Sequence, residues 1–335
     1  MNTERPPAQQ SLADVSPRLA LAWPARAVSR TADLDGDIHY LDFAGPSETG
    51  APQPNPTVVS LHGLGGSALN FGVIGPLLAD RYRVLAPDLP GHGRSSASRP
   101  HGSALSGVLA EYVHVVDRFV REVSGAPILL VGHSLGGIIA LLQALEHRET
   151  VSALVLLAPP SPGRTRHERD FGLTARLALL SVPGARALVA RLRSSNPGEV
   201  VRRQLAQATP HPERVPAEAV AAAIAETAWR ASRPEAVAAD RAQWRAILAT
   251  IALLSRPHDW RQRLATLTVP VLWLQGEDDL LVSSHDAAAL TCTLGGDCDC
   301  TFETRPGVGH MPHLEDPAWT AERITSWQSS PPRRR

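Results

Sequence analysis

The chain has 335 residues, and its 33 basic side chains, all arginine, balance 33 acidic ones to a formal net charge of zero. That balance, with no basic stripe carrying interleaved aromatics, argues against nucleic acid or an anionic membrane surface as a partner, and no run reaches the roughly 18 apolar residues of a spanning helix. A chain of this length can bury a substantial interior as one large domain, with room for a smaller inserted one.

Residues 1–17 are polar and proline-containing and lack the continuous apolar stretch of a secretory signal, so the expected location is the cytoplasm. Residues 1–27 carry no periodic pattern and are expected to form a poorly ordered extension. Over 28–44, Asp35-Gly36 separates two extended segments, the second with partial alternation, which predicts a hairpin. Residues 45–56 are dense in Pro, Gly, Ser and Asn and read as a loop.

From Thr57 the pattern changes. Strands are predicted at 57–61, 83–86, 127–131, 154–158, 269–275 and 300–305, and helices at 71–80, 108–123, 135–147, 285–294 and 317–327. Short apolar strands alternating with helices predict an α/β fold, a mostly parallel central sheet with helices on both faces. Functional loops in such sheets follow the carboxyl ends of the strands. Between 161 and 267 the strand signals stop, and an Ala-, Leu- and Arg-rich composition is broken by prolines at 183, 197, 210, 212, 216 and 234. A structureless loop of that length is foreign to a compact domain. The expected division is therefore a core at 28–160 and 268–335 and an inserted helical cap at 161–267, with 234–254 as its longest helix. Leu177, Leu179, Leu180, Leu188, Val189, Ile224, Trp229, Trp244, Ile247 and Leu248 give the cap its amphipathic pattern, which is first a packing signal.

The segment Val131-Gly132-His133-Ser134-Leu135-Gly136-Gly137 joins an apolar strand to an apolar helix and contains G-x-S-x-G. A strand reversing into a helix within two residues brings backbones close to the serine, which only glycine permits at 132 and 136. Ser134 is the candidate nucleophile. A serine hydroxyl holds its proton tightly near neutral pH, so it needs a base and a group that orients the base. His310 follows the last predicted strand on the glycine-containing loop Pro306-Gly-Val-Gly-His310 and is the candidate base. Gly276-Glu277-Asp278-Asp279 follows the preceding strand and supplies three consecutive carboxylates, any of which could fix the imidazole tautomer. His313 is a competing base, whereas His62, His92 and His133 read as loop-supporting or pocket-shaping residues.

Cys292, Cys298 and Cys300 share one short segment, but spacings of five and one residues depart from C-x2-4-C metal pairs. Free thiols on a loop are expected there. No H-E-x-x-H or comparable spacing points to a metal.

The order serine, acid, histidine, each after a successive strand, resembles the α/β-hydrolase superfamily. The resemblance rests on His62-Gly63-Leu64-Gly65-Gly66, Asp88-Leu-Pro-Gly-His-Gly-Arg-Ser95 and 132–137, and it extends over about 28–327. It implies that the acid is Asp279, three residues after Gly276, with Asp278 as the alternative, and that the backbone N–H groups of Leu64 and Leu135 form an oxyanion hole. It implies no cofactor and a small-molecule substrate. Relatives that open epoxides or remove halide use an aspartate nucleophile, so Ser134 points to the serine members. These are esterases and lipases in the first place, then thioesterases, lactonases, carbon–carbon bond hydrolases and cofactor-free perhydrolases. A scaffold that binds a small ligand without turning it over is the alternative of another class.

Overall fold

The computed structural model describes residues 24, 26–43, 56–96, 105–125, 127–163, 196–295 and 298–329. Eight strands form one sheet: β1 (Val28–Asp33), β2 (Asp37–Asp42), β3 (Thr57–Leu61), β4 (Arg83–Pro87), β5 (Ile128–His133), β6 (Val151–Leu157), β7 (Val271–Gly276) and β8 (Cys300–Arg305). Their spatial order is β1-β2-β4-β3-β5-β6-β7-β8. The hairpin strands β1 and β2 pair antiparallel with each other, and β2 with β4, while every pair from β4 to β8 is parallel.

The sheet is parallel because its strands are apolar on both faces. Successive residues of a strand point to opposite sides, and here each side meets a different apolar layer. Leu61, Leu130, Leu154, Leu156, Val271 and Trp273 join one core cluster, and Val58, Leu129, Val131, Val155, Leu157 and Leu274 join the other. Only helices on both faces can cover such strands.

Ten helices are described: α1 (Ile74–Leu78), α2 (Leu105–Phe119), α3 (Leu135–Glu146), α4 (Pro197–Ala208), α5 (Ala217–Ala231), α6 (Ala236–Leu254), α7 (Pro257–Leu264), α8 (Ser284–Thr291), α9 (Pro312–Glu315) and α10 (Pro317–Ser329). Among the described residues none is long and apolar enough to cross a membrane. The helix expected at 71–80 is split into a 3₁₀ turn, Ala68–Phe71, and α1, because Ser67 and Asn70 form a reciprocal capping box that starts the turn early. The helix expected at 108–123 is regular to Phe119 and then widens into a π turn, Val120–Ser124, which stops at Gly125 with φ 74°. Strand β6 begins three residues before its predicted start at 154.

Between β6 and β7 the described residues hold α4 to α7 and a 3₁₀ turn, Pro212–Arg214, and no strand. Two prolines mark helix starts: Pro197 and Pro257 stand in the first turns of α4 and α7, where a missing N–H costs nothing. Asn196 caps α4 by accepting from the Glu199 N–H at 3.1 Å. Ala246, Ala249, Leu254, Trp260 and Leu264 of α6 and α7 belong to the same core cluster as Val113 and Val116 of α2. Leu177, Leu179, Leu180, Leu188 and Val189 lie outside the described residues, as do most of 1–27 and nearly all of the loop at 45–56. Ile224, Trp229, Trp244, Ile247 and Leu248 are half-buried.

The three cysteines are free but do not share one loop: Cys292 caps α8, Cys298 is buried, and Cys300 opens β8. The reason is packing, since the Cys298 thiol donates to the Val269 carbonyl at 3.3 Å and draws the segment against the start of β7.

Close backbone approach limits what the turn at the end of β5 accepts. A methyl group on Gly136 would strike the Leu61 carbonyl oxygen and come within 2.7 Å of that of His62, both backbone atoms that cannot swing aside. Gly136→Ala is expected to cost about 1–3 kcal/mol, read as a lower urea midpoint with an unchanged m-value.

Candidate active site

Ser134 sits between the last residue of β5 and the first of α3, with φ 51° and ψ −116°. A non-glycine residue at positive φ is strained, and the surroundings must over-determine it. They do so on both sides. A Cβ on Gly132 would collide with the Gly136 carbonyl oxygen, so strand and helix meet at backbone contact. The Ser134 N–H donates to the Leu157 carbonyl at 2.9 Å, which holds the turn over the end of β6. The result lifts the side chain above the carboxyl edge of the sheet.

His310 reaches the serine from the loop after β8. The Ser134 Oγ–H donates to His310 Nε2 at 2.9 Å, and His310 Nδ1–H donates to Asp279 Oδ2 at 2.8 Å. The Asp279 side chain is wholly buried and that of His310 is 6 % exposed. Asp279 is further tied by Gln275 Nε2 at 2.7 Å to Oδ2, and by the N–H groups of Leu281 and Val282 at 2.7 and 2.9 Å to Oδ1. A buried carboxylate needs such donors.

The other two carboxylates of the run point elsewhere. Asp278 pairs with His211 Nε2 at 2.9 Å and is 42 % exposed, and Glu277 accepts from Thr304 Oγ1 at 2.7 Å. Of the three acids left open by the spacing, Asp279 alone meets His310.

The competing histidine lies underneath. His313 is fully buried, stacks on Phe71 with 5.3 Å between ring centres, and neither ring nitrogen has a hydrogen-bond partner among the described residues. Burial, helped by the nearby His310, pushes its pKa down to about 3, so it is neutral. His133 is likewise held neutral by burial and donates from Nε2 to the His310 carbonyl at 3.0 Å. A neutral ring there places no positive charge beneath the His310 imidazole.

The turn after β3 lies against Ser134, since a Cβ on Gly63 would stand 3.2 Å from Ser134 Cβ. His62 supports this turn from below: Nδ1–H donates to the Gly63 carbonyl at 2.7 Å, and Nε2 accepts from the Leu89 N–H at 2.9 Å. Burial lowers the His62 pKa and keeps one nitrogen free to accept. Among the described residues neither the Leu64 nor the Leu135 N–H donates to a backbone carbonyl. Leu135 is the first residue of α3, where helical N–H groups have no internal partner and the dipole favours negative charge. His92, by contrast, is buried with its pKa pushed to about 3, donates to the Pro90 carbonyl at 3.1 Å, and serves its own loop.

Several site residues escape sequence reading. Glu315, at the end of α9, accepts from the N–H groups of Gly309 and Met311 at 2.7 and 2.9 Å, on either side of His310, and from Thr209 Oγ1 at 2.6 Å. The His310 N–H donates to the Ala208 carbonyl at 3.1 Å. The His310 loop is thus anchored to the end of α4 through backbone and carboxylate together. Arg230 of α5 donates to the Gly65 carbonyl at 3.0 Å and steadies the turn that carries Leu64. Leu-Glu-Asp-Pro in the sequence signals only the start of the last helix, and nothing marks Thr209 or Arg230.

A family model described as alpha/beta hydrolase fold matches residues 56–317. The chain is 31 % identical over 282 residues, 84 % of its length and 92 % of the relative's, to a Variovorax paradoxus protein carrying the name "Putative carbamate hydrolase RutD". It is 25 % identical over 328 residues to human monoglyceride lipase, covering 92 % of this chain and 95 % of that one. Among solved structures, one described as "a putative lipase" from Acinetobacter baumannii superposes with a TM-score of 0.71 at 25 % identity, over 94 % of this chain and 96 % of the other. With its sheet order, its strained serine turn and a family match over most of its length, the chain belongs to the α/β-hydrolase fold family and is a hydrolase.

Proposed function

We propose that the chain is a serine hydrolase that cleaves an ester-like bond of a small, largely apolar substrate through an acyl-enzyme. The observation that carries this reading is the continuous hydrogen-bonded line from Ser134 Oγ through His310 to the buried Asp279. Ser134 Oγ attacks the carbonyl carbon while His310 Nε2 takes its proton, and Asp279 holds the imidazole in the reactive tautomer and offsets its positive charge. The oxyanion falls to the Leu64 and Leu135 N–H groups; losing one such donor typically costs about 10²- to 10³-fold in rate. His310 returns the proton to the leaving oxygen and then activates the water that releases the acid.

The segment at 161–267, whose described helices are α4 to α7, acts in this reading as the cap that shapes the substrate pocket. Its support is the set of contacts from α4 and α5 to the loops around the triad, through Ala208, Thr209 and Arg230. A carbamate carbonyl is a second substrate class for the same machinery, favoured by the relative that carries that name.

Ser134→Ala is expected to lower the hydrolysis of short p-nitrophenyl esters by at least about 10⁴-fold with the circular dichroism spectrum unchanged; unchanged turnover would refute the nucleophile. Asp279→Asn is expected to cost about 10⁴-fold in kcat, whereas Asp278→Asn, which removes only a half-exposed pair with His211, stays within about fivefold. The reverse ranking would move the acid by one residue. Glu315→Gln is expected to lower stability by about 1–3 kcal/mol and to reduce kcat more than it changes KM, measured by thermal unfolding and steady-state kinetics on the same ester.

A further inference from the structure

A second serine, histidine and aspartate are aligned at the hairpin end of the sheet. Ser29 stands on β1 and His39 on β2, where the register Thr31 to His39 and Ser29 to Leu41 puts both side chains on one face as diagonal neighbours. Asp88 follows β4, which pairs with β2, and its N–H donates to the His39 carbonyl at 2.8 Å. Ser29 Oγ–H donates to His39 Nε2 at 2.8 Å, and His39 Nδ1–H donates to Asp88 Oδ2 at 2.7 Å. The corresponding distances at Ser134, His310 and Asp279 are 2.9 and 2.8 Å.

Burial matches as closely as geometry. The His39 and Asp88 side chains are 9 % and 1 % exposed, against 6 % and 0 % for His310 and Asp279. Asp88 also accepts from the N–H groups of Ala68 at 2.6 Å and Arg94 at 2.8 Å. Burial would raise its pKa, but the hydrogen bond from His39 and that from the Ala68 N–H hold it below the ordinary carboxylate value. Ser29 itself is exposed. It opens onto a small concavity of about 40 Å³ whose wall includes His39, Leu69, Asp88, Arg94 and Glu226.

We propose that Ser29, His39 and Asp88 form a second nucleophilic site, at which Ser29 takes up the acyl group of a small activated ester. Backbone bonds already latch the hairpin to the loop after β4, through Asp88 N–H to His39 and Ser96 N–H to Asp37. The Ser29–His39 bond is therefore not what holds the hairpin to that loop. In the acylation step Ser29 Oγ forms a bond to the carbonyl carbon, and its proton passes to His39 Nε2. The bond to the leaving oxygen then breaks, and that oxygen takes the proton back from His39. The same concavity carries Arg94 and Glu226, whose carboxyl burial pushes above its ordinary pKa. No helix begins at Ser29 to present backbone N–H groups. Acylation therefore outpaces turnover, and the site gives a stoichiometric burst.

The test uses the full chain carrying Ser134→Ala, treated with p-nitrophenyl acetate and, separately, with a fluorophosphonate, and mapped by peptide mass spectrometry. The expected result is one adduct at Ser29, forming at least about tenfold faster than at Ser255, an exposed serine whose hydroxyl bonds only to the Ala252 carbonyl. Adding Ser29→Ala, which leaves the His39–Asp88 pair in place, abolishes the burst, and His39→Gln slows it by about tenfold or more. A folded Ser134→Ala protein in which Ser29 reacts no faster than Ser255 overturns the proposal, as does a burst that survives Ser29→Ala. The same fluorophosphonate on the unsubstituted chain reads Ser134, so failure at Ser29 and failure of the main triad are separable outcomes.

Discussion

Backbone packed on backbone at the end of β5 is the constraint on which the site depends. Gly132, Gly136 and the carbonyls of Leu61 and His62 leave no room for a single extra methyl group, and that contact pins α3 against β3 and β5. Ser134 is then forced to φ 51° at the rim of the sheet. The strain is tolerable because it is distributed: the Leu157 carbonyl takes the Ser134 N–H, and buried apolar residues of α3 on the sheet hold the helix where it is. A serine in relaxed extended backbone would alternate with its neighbours across the sheet faces and could not stand clear of them.

The other end of the hydrogen-bonded line is held by different means. His310 lies on a loop, and a loop needs external anchors to keep an imidazole within hydrogen-bond reach. Glu315 bonds the N–H groups flanking it, Ala208 takes its own N–H, and neutral His133 and His313 fill the space below. Because Ala208 and Thr209 end α4, that helix helps hold the loop that carries His310. A change in that helix can therefore reach the triad without touching it.

The two serine–histidine–aspartate lines share an economy of construction. In both, an aspartate just past a strand end is wrapped by backbone N–H groups and faces a histidine from a neighbouring segment. The difference is in the serine. At Ser134 a helix starts immediately after it and offers unpaired N–H groups, whereas Ser29 lies within the edge strand β1 with no helix start beside it.

Strand and helix periodicity, glycine placement and the serine-acid-histidine order were legible in the chain, because each is a local rule: two-residue alternation on a strand, close approach only at glycine, loops after strand ends. Those rules located seven of the eight strands to within about two residues, β6 alone beginning earlier, and they named Ser134 and His310. They left Asp279 and Asp278 unresolved, since adjacent residues on a loop differ only in direction. Direction came from long-range contacts, Gln275 and His310 on one acid and His211 on the other. Glu315, Thr209 and Arg230 were invisible for the same reason: each acts through a partner between 4 and 165 residues away, and no spacing encodes which surfaces the packed sheet will bring together.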